Sequence, residues 1–124
     1  MWIIKKRALI IEDEENIAEA ESLILGEAYE IHHAYDGDEG LEKARQIKPH
    51  VIILDLMLPK RNGYDICFNI RQDKSLRDTK IIMVTAKNQQ LDQNKGMFIG
   101  ADEYLKKPFS PEELIKAVEQ AMKE

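Results

Sequence analysis

Apolar residues in this chain alternate between two spacings. Unbroken runs stand at Ala8-Leu9-Ile10-Ile11, Val51-Ile52-Ile53-Leu54 and Ile81-Ile82-Met83-Val84. Short apolar runs rich in β-branched residues read as strands buried on both faces, as in a parallel sheet covered by helices. Between the runs the apolar positions recur at helical spacing. Ile17, Ala20 and Ile24 predict a helix from Asn16, with Glu19 and Glu21 turned elsewhere and Gly26 at its end. Leu41, Ala44 and Ile47 predict a second helix, stopped by Pro49, and Ile66 and Ile70 a third, from about Gly63. A more polar strand over 30–34 carries His32 and His33 and suits a sheet edge, closed by a turn at Asp36-Gly37. A fourth helix over 91–99 has the weakest stripe, with Asn88, Gln89, Gln90, Asp92, Gln93, Asn94 and Lys95 crowding its start and Gly100 ending it. A last strand over 103–105 leads to Ser110-Pro111-Glu112-Glu113, a capping box with proline at the first helical position. Leu114, Ala117, Val118, Ala121 and Met122 continue that helix at i, i+3, i+4, i+7 and i+8.

The order is therefore β-α five times, with strands too far apart in sequence for hairpins. Right-handed crossovers then make one parallel five-stranded sheet with helices on both faces, a single doubly wound α/β domain over 1–124 with its core at about 7–122. In such a sheet the strands end at one edge, and ligands bind there.

Composition narrows the picture without changing it. A chain of 124 residues, 44% hydrophobic and 33% charged, suits one domain with a single core. A net charge of −5 argues against direct binding to nucleic acid or anionic lipid. The lone Cys67 forms no internal disulfide and is expected to pack in the third helix, which fits a reducing compartment. The start, Met1-Trp2-Ile3-Ile4-Lys5-Lys6-Arg7, reverses the charge order of a signal peptide, and no stretch reaches membrane-spanning length. A cytoplasmic protein is expected.

Chemistry enters at the strand ends. Glu12 and Asp13 follow the first strand, Asp55 the third, Thr85 the fourth and Lys107 the fifth. Two like charges about 4 Å apart repel by roughly 4 kcal/mol at an effective dielectric near 20. Three converging acids call for a cation, and Lys107 offsets only one of them. A hard divalent ion, Mg²⁺, suits a site with few carboxylates and room for water. A metal beside a carboxylate, with a lysine and a hydroxyl opposite, is equipment for phosphoryl transfer to that carboxylate.

These residues carry a resemblance. Glu12-Asp13, Asp55-x-x-Leu58-Pro59-x-x-Asn62-Gly63, Thr85-Ala86, Gly100-Ala101-Asp102-x-Tyr104 and Lys107-Pro108-Phe109 occur in an order and spacing similar to the response-regulator receiver domains of two-component signalling, over nearly the whole chain. The resemblance implies a flavodoxin-like strand order 2-1-3-4-5 and a phosphorylation-controlled switch that assists only its own phosphorylation and dephosphorylation. It implies that Asp55 accepts a phosphoryl group from the phosphohistidine of a sensor histidine kinase. Mg²⁺ would lie on Asp13, Asp55 and the backbone carbonyl of Met57, with Glu12 acting through water. Lys107, the Thr85 hydroxyl and the Ala86 N–H would meet phosphoryl oxygens, and Tyr104 would turn inward as Thr85 moves.

Two other function classes suit these residues less well. A haloacid-dehalogenase-like aspartyl-phosphate phosphatase needs a second acid where Met57 stands, and a pseudo-receiver interaction module should have lost an acid, the lysine or the hydroxyl. His32, His33 and His50 read as surface residues rather than metal or relay groups, and Glu14 and Glu15 as a helix start favoured by the helix dipole. The Lys107-Pro108 bond is expected to be cis. The output is expected on the face of the fourth predicted helix, the fifth strand and the last helix, where a downstream target or a second phosphorylated copy would bind. No effector segment follows residue 124, so a stand-alone regulator and a fragment of a longer one both fit.

Overall fold

The computed structural model describes residues 4–86 and 100–123. Its five strands are β1 (Lys6–Ile11), β2 (Tyr29–Ala34), β3 (Val51–Asp55), β4 (Lys80–Thr85) and β5 (Glu103–Lys106). All pair in parallel, in the order β2-β1-β3-β4-β5. The described helices are α1 (Glu15–Leu25), α2 (Gly37–Ile47), α3 (Gly63–Gln72) and α4 (Pro111–Met122), with one 3₁₀ turn at Lys74–Leu76. The fourth predicted helix, over 91–99, lies outside the described residues, as do Met1, Trp2 and Ile3.

Strand alternation divides the core in two. Leu9, Ile11, Ile52, Leu54, Ile81 and Met83 face one side, with Leu41 and Ala44 of α2 and Ile66 and Ile70 of α3. Ala8, Ile10, Val51, Ile53, Ile82 and Val84 face the other, with Ala18 and Leu25 of α1 and Leu114, Val118 and Ala121 of α4. Both faces of the central strands are buried, so their sequences read as unbroken runs instead of alternating ones.

The element ends follow their residues, with some corrections. The capping box at α4 forms in both directions: the Ser110 hydroxyl accepts from the Glu113 N–H, and the Glu113 carboxylate accepts from the Ser110 N–H. Asp36-Gly37 is no turn: Asp36 caps α2 by accepting the Glu39 N–H, and Gly37 is already helical. The stripe expected on α1 is also displaced. Ala18, Glu21 and Leu25 are the buried residues, while Ile17, Ala20 and Ile24 remain partly or fully exposed. An acid thus occupies an inner position of this helix, one residue out of phase with the hydrophobicity. The Gly100-Ala101-Asp102 part of the Gly100-Ala101-Asp102-x-Tyr104 motif is a structural clamp. Gly100 at φ +112° offers its carbonyl to Arg71 Nε, and Arg71 also holds Asp102 at 2.8 Å, which accepts the Ile81 N–H.

Candidate functional site

The parallel sheet brings the predicted residues to its carboxyl edge. β1 stops at Ile11, so Glu12 and Asp13 emerge just beyond it; β3 ends on Asp55, β4 on Thr85, and Lys107 follows the last residue of β5. Each of Glu12, Asp13 and Asp55 offers a carboxylate oxygen within 4.8 Å of the other two. Glu12 and Asp55 are buried, at 1% and 6% exposure, and Asp13 is exposed.

The Lys107 ammonium is 3.2 Å from Asp55 Oδ2 and 3.3 Å from Glu12 Oε1. The backbone supplies further donors: the Met57 N–H to Asp55 Oδ1 and the Glu14 N–H to Glu12 Oε2, both at 3.1 Å. Met57 itself is exposed.

The loop carrying Met57 is held by a close approach. The Gly63 N–H donates to the Leu56 carbonyl at 2.8 Å, and a Cβ at Gly63 would stand 2.8 Å from the Asp55 carbonyl oxygen and the Leu56 Cα. Asn62 caps α3 on the Asp65 N–H, so Asn62-Gly63 starts a helix and presses it against the end of β3. On the opposite side the Lys107 N–H donates to the Thr85 carbonyl at 2.8 Å, and the Lys107-Pro108 bond is cis, as expected.

Burial raises the Glu12 pKa from 4.5 to about 7. The Glu14 N–H works against that rise, and the Asp55 charge adds to it. For Lys107 burial disfavours the charge, yet Asp55 and Glu12 outweigh it and hold its pKa above the ordinary value. Three acids converge, one ammonium meets two of them, and all the acidic donors are oxygens. That set fits a hard divalent cation such as Mg²⁺.

Thr85 is buried with its hydroxyl 3.5 Å from the Ala86 carbonyl. Tyr104, half-buried on β5, donates its hydroxyl to that of Tyr64 at 3.2 Å.

The comparisons agree with this geometry. The profile of the response regulator receiver domain matches residues 8–119. The chain belongs to the response regulator receiver domain family. Among the relatives of this receiver domain is the Bacillus subtilis alkaline phosphatase synthesis transcriptional regulatory protein PhoP, 40% identical over 93% of the chain and 49% of that protein. The Staphylococcus aureus response regulator ArlR is 47% identical over 89% of the chain and likewise 49% of its own length. The receiver domain therefore spans about half the length of the curated relatives it matches. Its fold resembles the Vibrio cholerae chemotaxis response regulator CheY4 with a TM-score of 0.89 at 30% identity, covering 95% of this chain and 99% of that one. It also resembles the BeF3-activated DrrB receiver domain, with a TM-score of 0.87 at 29% identity, covering 98% and 100%.

Some contacts were not legible in the sequence. Tyr64 follows the Asn62-Gly63 signal directly, but nothing there announces a partner on β5. The histidines are half-buried, not simply superficial. His33 Nε2 lies 2.9 Å from the Glu12 carbonyl, and His50 Nδ1 accepts the Arg7 N–H at 3.0 Å. Cys67 is fully buried in α3, and burial pushes its thiol up to about 11. Among the described residues no helix is long and apolar enough to cross a membrane.

Proposed function

We propose that Asp55 is the phosphoacceptor of a two-component switch, supplied by the phosphohistidine of a sensor histidine kinase in the cytoplasm. An Asp55 oxygen attacks phosphorus, the O–P bond forms as the N–P bond breaks, and the departing imidazole keeps the electron pair and takes a proton. The observation that carries this reading is the placement of the Lys107 ammonium 3.2 Å from Asp55 Oδ2, in a site where three carboxylates converge. Lys107 is placed to leave its pairing with Asp55 for a phosphoryl oxygen as charge builds there. The Thr85 hydroxyl and the Ala86 N–H, at the end of the adjacent strand, take another oxygen.

Asp13, Asp55 and the Met57 carbonyl would hold Mg²⁺, with Glu12 acting through water. That ion would supply neutralisation of the equatorial oxygens. The Met57 N–H and Gly63 keep the Asp55 loop in place while the charge changes.

The output runs through Thr85 to Tyr104, whose hydroxyl already meets Tyr64 of α3. The face of β5 and α4 then presents a changed surface to a downstream target or to a second phosphorylated copy. Incubation with acetyl phosphate and Mg²⁺, read by intact mass, tests the reading. One phosphoryl group should be gained by the wild type and none by Asp55→Asn. Equal labelling of the Asn variant would overturn the assignment.

A further inference from the structure

The loop between β3 and α3 carries Met57 at the phosphoryl site, and charges tie it down at its far end. Arg61 stands at the centre of that tie. Its Nε donates to Asp38 Oδ1 at 2.7 Å and its Nη1 to Asp65 Oδ2 at 2.9 Å. Asp38 belongs to the first turn of α2 and Asp65 to the first turn of α3, so one guanidinium spans two helices. Next to it Lys60 Nζ lies 3.5 Å from Oδ2 of Asp36, the residue that caps α2.

The backbone is drawn in as well. The Pro59 carbonyl accepts the Gly37 N–H at 3.4 Å and the Arg61 N–H at 2.8 Å. A Cβ at Gly37 would stand 2.6 Å from the Arg61 Cβ, so the start of α2 meets this loop with no side chain to spare. Lys60 holds φ +70°, a left-handed conformation that costs a residue with a Cβ about 1 kcal/mol. Such a conformation persists only where its surroundings over-determine it. A lone exposed ion pair would not do so, but a network of several charges can. Two cations and three acids form one here.

We propose that Arg61 is a positioning residue for the metal site: by bridging α2 and α3 it holds the loop in the conformation that brings the Met57 carbonyl to a Mg²⁺ on Asp13 and Asp55. Arg61 acts through the loop rather than on the ion, and this assignment rests on the reading that Mg²⁺ lies on those groups. Charge alone predicts the opposite sign. Loss of a cation near the acidic edge would tighten Mg²⁺ binding, whereas loss of the bridge weakens it.

The test is a Mg²⁺ titration of the whole ¹⁵N-labelled chain, read at the Asp13 and Met57 amides, for the wild type, Arg61→Gln, Asp38→Asn and the double variant. Both positions are exposed, so the fold should survive either change. Each single variant should raise the Kd about threefold, and the double variant no further than either one, because each removes the same bridge. Exchange of the Met57 N–H, which donates to Asp55 Oδ1, should quicken by a similar factor in the metal-free variants. Unchanged or tighter binding in Arg61→Gln would overturn the proposal. Recovery of the wild-type Kd in the double variant would overturn it too, since it would show that only net charge matters. Unchanged exchange at Met57 would do the same, by showing that other contacts hold the loop. A wild type without saturable shifts at Asp13 and Met57 would remove the metal reading itself, and the role of Arg61 with it.

Discussion

At the carboxyl edge of the sheet, buried acids are surrounded by answers: Glu12 and Asp55 each meet Lys107 and a backbone N–H. One layer away, on the inner face of α1, Glu21 is as deeply buried and meets no donor among the described residues. Burial is the leading cause of the raised pKa of both glutamates, to about 7 for Glu12 and about 8 for Glu21. The contrast is between buried acids that are given partners and one that is not. At the edge a lysine and two backbone amides stand against Glu12 and Asp55. Glu21 has no such donor among the described residues, and that acid is held neutral over a wider range of pH.

Removing Lys107 makes the edge resemble the Glu21 site, and the largest effect is expected there. Lys107→Ala should slow phosphoryl gain from acetyl phosphate roughly hundredfold, the usual cost of one positioned donor at a developing charge. Mg²⁺ binding should be no weaker, since a competing cation has gone. Intact mass against time and a Mg²⁺ titration read the two effects; unchanged labelling would show that Lys107 pairs with acids only to balance charge.

A second substitution strikes the same edge sterically. Gly63→Ala puts a methyl 2.8 Å from the Asp55 carbonyl oxygen and the Leu56 Cα, so α3 must retreat or the Met57 loop must move. Overpacking of this kind costs about 1–3 kcal/mol, and the urea midpoint should fall accordingly. The Mg²⁺ affinity should fall with it, since the Met57 carbonyl moves away from Asp55. A variant as stable as the wild type would show that the loop has slack.

On the other side of the comparison the sign reverses. Glu21→Leu replaces an unpartnered acid with a residue that suits its neighbours Ala18 and Leu25. It should stabilise the chain at neutral pH by about 2 kcal/mol, the order of the penalty for leaving one buried polar group unpaired. For a domain of this size that is a rise in Tm of several degrees, readable by calorimetry. A destabilised leucine variant would mean that Glu21 is already satisfied and that the two acids are alike.

How far this contrast was legible in the sequence depends on the element. The strands were read well because burial on both faces writes unbroken apolar runs into β1, β3 and β4, at Ala8-Leu9-Ile10-Ile11, Val51-Ile52-Ile53-Leu54 and Ile81-Ile82-Met83-Val84. The convergence of Glu12, Asp13, Asp55, Thr85 and Lys107 was legible because a parallel sheet fixes which strand ends share an edge. The phase of α1 was not. Ile17, Ala20 and Ile24 suit helical spacing as well as Ala18, Glu21 and Leu25, and hydrophobicity favours the first set. What decides is packing against α4 and β1, where small Ala18 and an acid lie inward and two isoleucines form the wall of a groove. The Tyr104-Tyr64 bond was equally hidden, since it joins elements 40 residues apart with no motif at one end.

The last and smallest effect separates burial from titration. In the folded chain Glu21 holds its proton up to about 8, against an ordinary value of 4.5. Between those values the unfolded chain has released the proton and the folded chain retains it. Its share of stability is therefore complete below about pH 4.5, declines as pH rises, and is gone above about pH 8. The decline is at most about 1.4 kcal/mol per pH unit for one proton. Glu12 contributes a decline of the same sign that ends near pH 7. Glu21→Gln keeps the shape and the unpaired polar head but cannot ionise. At about pH 5 it should match the wild type within about 1 kcal/mol, since both side chains are then mostly neutral and equally unpartnered. Between about pH 5 and pH 8 its urea midpoint should decline less steeply than that of the wild type, leaving the share owed to Glu12. Parallel profiles for the two proteins would mean that Glu21 ionises as an ordinary surface acid, and the distinction between the matched edge and the unmatched helix would fall with it.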